Sequence, residues 1–175
     1  NNSAEIALPR PDLVFTTAKL DGTRLTAKFT NAGAVPIIER VRVVFAWLDG
    51  SGKVVGVEGS FFPGFVAPNA PRLIDSNDNV SLMLGQGNGQ SLAMYLRTRP
   101  PGAETLRMTL DADQGVGESN EQNNTATVTF PPIPKPDLTM TDAKLTATTL
   151  TMRVTNIGDG LLLPSTPLTL WLEWT

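Results

Sequence analysis

The sequence predicts an all-β protein, an antiparallel β-sandwich arranged in tandem. Three observations lead there: apolar residues alternate with polar ones, clusters of Gly, Asn, Asp and Pro separate the alternating runs, and one stretch of 23 residues occurs twice. "PDLVFTTAKLDGTRLTAKFTNAG" at 11–33 aligns without gaps onto "PDLTMTDAKLTATTLTMRVTNIG" at 136–158, with 13 of the 23 positions identical. The prefixes "LPRPDL" and "IPKPDL" extend the match, which sets the boundaries. Residues 1–8 are an N-terminal extension, 9–130 a first unit, 131–135 ("PPIPK") a stiff proline-rich linker, and 136–175 the first strands of a second unit.

The strands follow from the period of two. In "RLTAKFTN", Leu25, Ala27 and Phe29 alternate with Arg24, Thr26, Lys28 and Thr30, and the copy repeats this with Leu150, Met152 and Val154. "VRVVFAWLD" puts Val41, Val43, Phe45 and Trp47 on one face. "TLRMTL" does the same with Leu106, Met108 and Leu110, and "TATVTF" with Ala126, Val128 and Phe130. Asn31-Ala32-Gly33, Asp49-Gly50-Ser51-Gly52 and the glycine-rich run at 85–89 supply residues that tolerate the backbone of a chain reversal. No segment carries a helical period of helical length.

Composition narrows the function classes. The 175 residues carry a net charge of −3 without a Lys/Arg-rich run, which argues against nucleic acid and anionic membrane surfaces as partners. No apolar run approaches a membrane span, so no membrane insertion is expected. Cysteine and histidine are both absent, removing disulfides, thiolate ligands, the commonest general base and the usual zinc ligand. The expectation is a protein that is not an enzyme. "DSNDN" at 75–79 imitates an EF-hand opening but has Val80 at the glycine position, so it reads as a polar turn, and "GSGK" at 50–53 reads as a hairpin turn.

An opening "PDL", a strand ending in "TNAG", an aromatic strand running into "WLDG" and a final "DADQGVGESNEQNN" hairpin together resemble the cell-adhesion-related domain found in bacteria, CARDB. The resemblance covers 11–130 as one unit and 136–175 as the first strands of another. It implies a seven-stranded immunoglobulin-like or fibronectin-type sandwich, commonly in tandem in exported proteins, and brings no catalytic residues. Its implied setting is extracellular or at the cell surface, with an adhesive, structural or assembly role.

Two sets of residues are candidates for a site. Asp111, Asp113, Glu118 and Glu121 fall in a run without positive charge between Arg107 and Lys135, among Asn120, Asn123 and Asn124. A hairpin connection accounts for this composition, because short polar side chains cap backbone donors and Glu121 can accept backbone N–H bonds. The sharper alternative is a calcium site, if Asp111 and Asp113 share one side of the strand and converge with Glu118 and Glu121. A carboxylate pair for glycoside hydrolysis is the third reading, disfavoured because a solvated hairpin tip leaves both groups ionised. The second set is aromatic: Phe61, Phe62 and Phe65 around a Pro-Gly turn, read as core plug or contact patch, and Trp171, placed outward by the repeat alignment while Leu168, Leu170 and Leu172 face the core. An outward ring suits a sugar or a protein, so the alternative function is a carbohydrate-binding accessory of a secreted hydrolase. The strands of the second unit cannot cover their own apolar face. Either further chain beyond Thr175 closes it, or another copy adds a strand, with Ile6 and Leu8 of the start as inward-facing donors.

Overall fold

The computed structural model describes residues 8–78, 80–85, 87, 89–160 and 169. The chain divides into two compact units, Asn1–Pro131 and Pro132–Thr175. The first begins with the hairpin β1 (Leu13–Asp21) and β2 (Arg24–Asn31), followed by β3 (Val43–Leu48), β4 (Gly59–Phe61), β5 (Arg72–Asp75), β6 (Ser81–Leu84) and β7 (Gly89–Ser91). A short helix α1 (Leu92–Arg97) and the strands β8 (Thr105–Thr109) and β9 (Thr125–Thr129) complete it. One sheet has the order β1-β2-β5 and the other β7-β6-β4-β3-β8-β9, every pairing antiparallel. Against the seven strands implied by the resemblance, the described residues of this unit form nine, because the segment between β3 and β8 is cut into short strands by turns.

The alternating pattern does what its period requires. Leu25, Ala27 and Phe29 of β2, Val43, Phe45 and Trp47 of β3, and Leu106 and Met108 of β8 are all at most 1% exposed and join one core between the sheets. Phe15 meets Phe29 edge-on at 6.1 Å, and Phe130 meets Trp47 edge-on at 4.9 Å. β3 differs from the half-buried expectation, since Val44, Ala46 and Leu48 are buried too. It is a central strand, paired with β4 and β8, and its second face is covered as well.

The helix is the element the period missed. Leu92, Tyr95 and Leu96 are its buried residues, an i, i+3, i+4 set that six residues are too short to repeat. Ser91 caps its start by accepting the Met94 N–H at 3.2 Å. Tyr95 stacks on Trp47 at 5.8 Å, and its hydroxyl lies 3.1 and 3.0 Å from the carbonyl oxygens of Phe45 and Val57. The helix therefore packs an aromatic pair against the central strand β3.

Both short loops read as turns are turns. Asp49 Oδ1 accepts the N–H groups of Ser51 and Lys53 at 2.9 and 3.0 Å, and Asp75 Oδ1 accepts that of Asn77 at 3.0 Å. Asp75 is also clamped by both guanidinium contacts of Arg24, which hold its carboxyl down at about 2.

In the second unit, β10 (Leu138–Leu145) and β11 (Leu150–Asn156) form the same hairpin with matching register at both ends: Leu138 faces Asn156 as Leu13 faces Asn31, and Leu145 faces Leu150 as Leu20 faces Leu25, while the irregularity between them falls at different positions. The repeated residues also build the same corner. Asn31 Oδ1 accepts from Asp12 N and Gly33 N, each at 3.0 Å, and Asn156 Oδ1 accepts from Asp137 N and Gly158 N at 2.9 and 3.1 Å. The glycine is required for close approach: a Cβ on Gly33 would lie 2.3 Å from the Arg10 carbonyl oxygen, and one on Gly158 would lie 2.5 Å from that of Lys135. Burial is what differs. Leu13, Leu25 and Phe29 are at most 1% exposed, whereas Leu138, Leu150 and Val154 are 38–47% exposed.

Candidate functional site

The acidic segment between β8 and β9 is not a solvated tip. Its backbone leaves the strand after Thr109 and turns at Asp111, which adopts a left-handed φ of +45° and is buried. This conformation lets both carboxylate oxygens of Asp111 reach forward, Oδ1 to Gly115 N at 3.1 Å and Oδ2 to Val116 N at 2.9 Å. Glu118 is also buried. Its Oε2 accepts the N–H of Leu13, a residue 105 positions away at the start of β1, and its Oε1 accepts the Asn124 amide at 2.8 Å. Glu121 turns back so that Oε1 accepts the Glu118 N–H at 2.9 Å.

Two further bonds fasten the same segment to the same corner. Ser119 N–H donates to the Pro11 carbonyl at 2.9 Å, and the Asn123 amide donates to Asp12 Oδ1 at 2.9 Å. "PDL" and "ESNEQNN" are therefore two halves of one latch. Sequence reasoning marked both motifs without joining them, because nothing in their spacing says that residues 11–13 meet residues 118–124.

Of the four carboxylates predicted to converge, three do. One oxygen each from Asp111, Glu118 and Glu121 lies within 4.8 Å of the others. Asp113 does not join them: it pairs with Arg42 at 2.9 Å. The expectation that Asp111 and Asp113 share a strand face fails because the strand ends before them. The expectation that a hairpin tip leaves its carboxylates ionised fails for Glu118. Burial pushes its carboxyl up to about 7, against the Leu13 N–H and Asn124 amide, which favour the anion, and with the charges of Glu121 and Asp111 adding to the rise. Asn124 is itself buried, and its Oδ1 has no hydrogen-bond partner. Chemically, the cluster offers hard oxygen ligands and one carboxyl that changes protonation near neutrality.

The aromatic candidates separate. Phe61 lies against Phe45 with 6.0 Å between ring centroids, and so belongs to the packing. Phe62 lies under the Arg40 guanidinium at 3.7 Å, and Phe65 is 53% exposed. Phe61 and Phe62 line an open depression of about 360 Å³ with Val80, Ser81 and Met83. Trp171, Leu168, Leu170, Leu172 and Ile6 lie outside the described residues, while Leu8 is exposed. Among the described residues, no helix is long and apolar enough to cross a membrane.

No protein-family model and no curated protein matches this sequence. A similar solved structure is the CARDB domain of a Pyrococcus furiosus protein, determined in complex with di-metal ions. It is 15% identical, with 70% of this chain and 93% of that chain covered at a TM-score of 0.38.

Proposed function

We propose that this protein is a structural module of the cell exterior, serving adhesion or assembly through tandem sandwich units. The observation that carries the reading is the contrast between the two copies of the repeat. The positions that close the core in the first unit, Leu13, Leu25 and Phe29, correspond to Leu138, Leu150 and Val154, which present an apolar sheet face in the second. A face of this kind is a contact surface, and a two-stranded hairpin gains stability by being covered. The first unit supports the same reading in another way. Its buried carboxylates are occupied by backbone N–H groups, which is the arrangement of a brace. Sedimentation of the 175-residue chain over a range of concentrations tests the proposal. Association that is lost in Leu150→Asp/Val154→Asp is expected. A chain that stays monomeric throughout and binds an array of glycans would favour the carbohydrate-binding alternative, for which Phe62 and Phe65 are the described platform.

A second component of the reading is a divalent cation, calcium, held by Asp111, Glu118 and Glu121. It is favoured by the 4.8 Å cluster of ligand oxygens, by the engagement of Arg42 with Asp113, and by the buried amide of Asn124 on Glu118, whose oxygen lacks a partner. A bound cation would neutralise charge that burial otherwise disfavours.

A further inference from the structure

We infer that the polar face of the repeated hairpin binds an acidic polysaccharide, each copy contributing a diagonal pair of cations set among threonines. The inference concerns the face opposite the apolar one, and stands whether or not the chain self-associates. In β2, Thr26, Lys28 and Thr30 point away from the core that Leu25, Ala27 and Phe29 help to build. Across the ladder Thr17 faces Lys28 and Lys19 faces Thr26, so the two lysines are diagonal neighbours on one surface, about 7–8 Å apart.

The second unit makes the same crossing, with Thr141 facing Arg153 and Lys144 facing Thr151. A shared register does not explain the agreement. The first hairpin is irregular between Phe15 and Thr17, the second between Thr141 and Lys144, and Thr17 itself aligns with Asp142. Two different irregularities thus arrive at one pattern, threonine across from cation and lysine across from threonine. The core side of these strands is kept less well. Phe15, Ala27 and Phe29 correspond to Met140, Met152 and Val154, whereas Lys19, Thr26 and Thr30 recur unchanged and Lys28 is exchanged only for Arg153. Strand propensity accounts for the threonines, and edge protection accounts for a lysine on β1. Neither accounts for Lys28, because β2 lies between β1 and β5.

The charge on this face is available to a ligand. Lys19 and Lys28 are exposed and make no ion pair among the described residues. The carboxylate opposite Thr26 on the other side of β2, that of Asp75, is already held by Arg24. In the second unit Arg153 reaches Asp142 only at 3.9 Å with both side chains in solvent, a pair that holds neither group firmly. Two cations with hydroxyls between them recognise carboxylates and sugar hydroxyls together, and an open sheet face suits a chain laid across it. Recurrence of the pair in each unit suits a polymer that offers the same charged group at every step. A polysaccharide of uronic acids has all three properties.

Titration of the intact chain with polygalacturonate by calorimetry at low ionic strength tests this, with neutral dextran and a double-stranded DNA fragment as comparisons. Saturable binding to polygalacturonate alone is expected, weakening as salt is added. Lys19→Glu/Lys28→Glu should reduce the affinity about tenfold or more, Lys144→Glu/Arg153→Glu likewise, and all four changes together should abolish it. Lys19→Arg/Lys28→Arg, which keeps the charge, should bind as the parent does. Lys53→Glu, an exposed turn lysine away from this face, should leave binding unchanged. No binding to polygalacturonate, equal binding to dextran, or tighter binding to DNA overturns the inference. So does indifference to the hairpin reversals, or an equal loss in Lys53→Glu.

Discussion

Replacing Glu118 separates its two roles, as acceptor and as buried charge. Glu118→Ala removes the acceptors of two buried donors, Leu13 N–H and the Asn124 amide. Each orphaned donor costs about 1–3 kcal/mol, so a net loss of about 2–4 kcal/mol is expected after relief of the carboxylate's own desolvation. Glu118→Gln behaves differently. The Gln oxygen accepts from Leu13 N–H, and rotation of the Asn124 amide turns its partnerless oxygen toward the new NH₂ group. Both contacts of residue 118 are then kept without a charge, and a cost of under about 1 kcal/mol is expected. The pH dependence follows from the raised carboxyl. The folded protein holds this proton up to about pH 7, whereas the unfolded chain releases it near the ordinary value of 4.5. The native state binds more protons in that window, so the stabilisation is complete below pH 4.5 and lost as pH rises to 7, with a slope of at most about 1.4 kcal/mol per pH unit. Urea unfolding of parent, Glu118→Gln and Glu118→Ala from pH 4.5 to 8 measures all of this. Parallel pH curves for parent and Glu118→Gln, or an alanine cost below about 0.5 kcal/mol, would refute the latch.

The opposite sign is expected at Asp75, whose carboxyl Arg24 holds at about 2, so its contribution is present above 3.8 and lost as pH falls through 2, and Asp75→Asn should flatten that acid limb in urea unfolding carried from about pH 5 down to 2. Phe29→Ala and Phe45→Ala, each removing a ring at most 1% exposed, should cost about 3–5 kcal/mol in urea titrations, against under about 0.5 kcal/mol for the exposed Phe65→Ala. Calcium at 100 times its dissociation constant should raise stability by about 2.7 kcal/mol, a response that chelation reverses and Asp111→Asn/Glu121→Gln abolishes, while an unchanged melting curve would leave the cluster as a brace alone.

The legible part of the structure is the part written in short-range pattern. Leu25, Ala27 and Phe29 alternate because one face of β2 is buried, and the sequence carries that alternation in plain view. β3 was legible as a strand but not as a central one, since Val44 and Ala46 suit a second covered face and an edge position equally well. α1 was invisible because three buried residues make less than two turns of pattern. At the site, the residue types pointed to the right segment. The convergence of Asp111 with Glu118 and Glu121 depends on a left-handed backbone at Asp111, and the defection of Asp113 depends on Arg42, 71 positions earlier in the chain. Neither is a property of local composition.

The two copies of the repeat also separate what is local from what is not. Asp12, Asn31 and Gly33 make the same bonds as Asp137, Asn156 and Gly158, although the first hairpin is covered and the second presents its apolar positions to solvent. The corner therefore belongs to the repeated residues themselves. The latch is of the other kind, joining Leu13 to a glutamate 105 positions away. An apolar face accepts any apolar cover, whereas a buried carboxylate whose N–H partner is missing penalises a wrong pairing of strands. In a unit built this way the corner preorganises the hairpin, and the acidic turn, through Glu118 on the Leu13 N–H and Asn123 on Asp12, closes the sandwich over it.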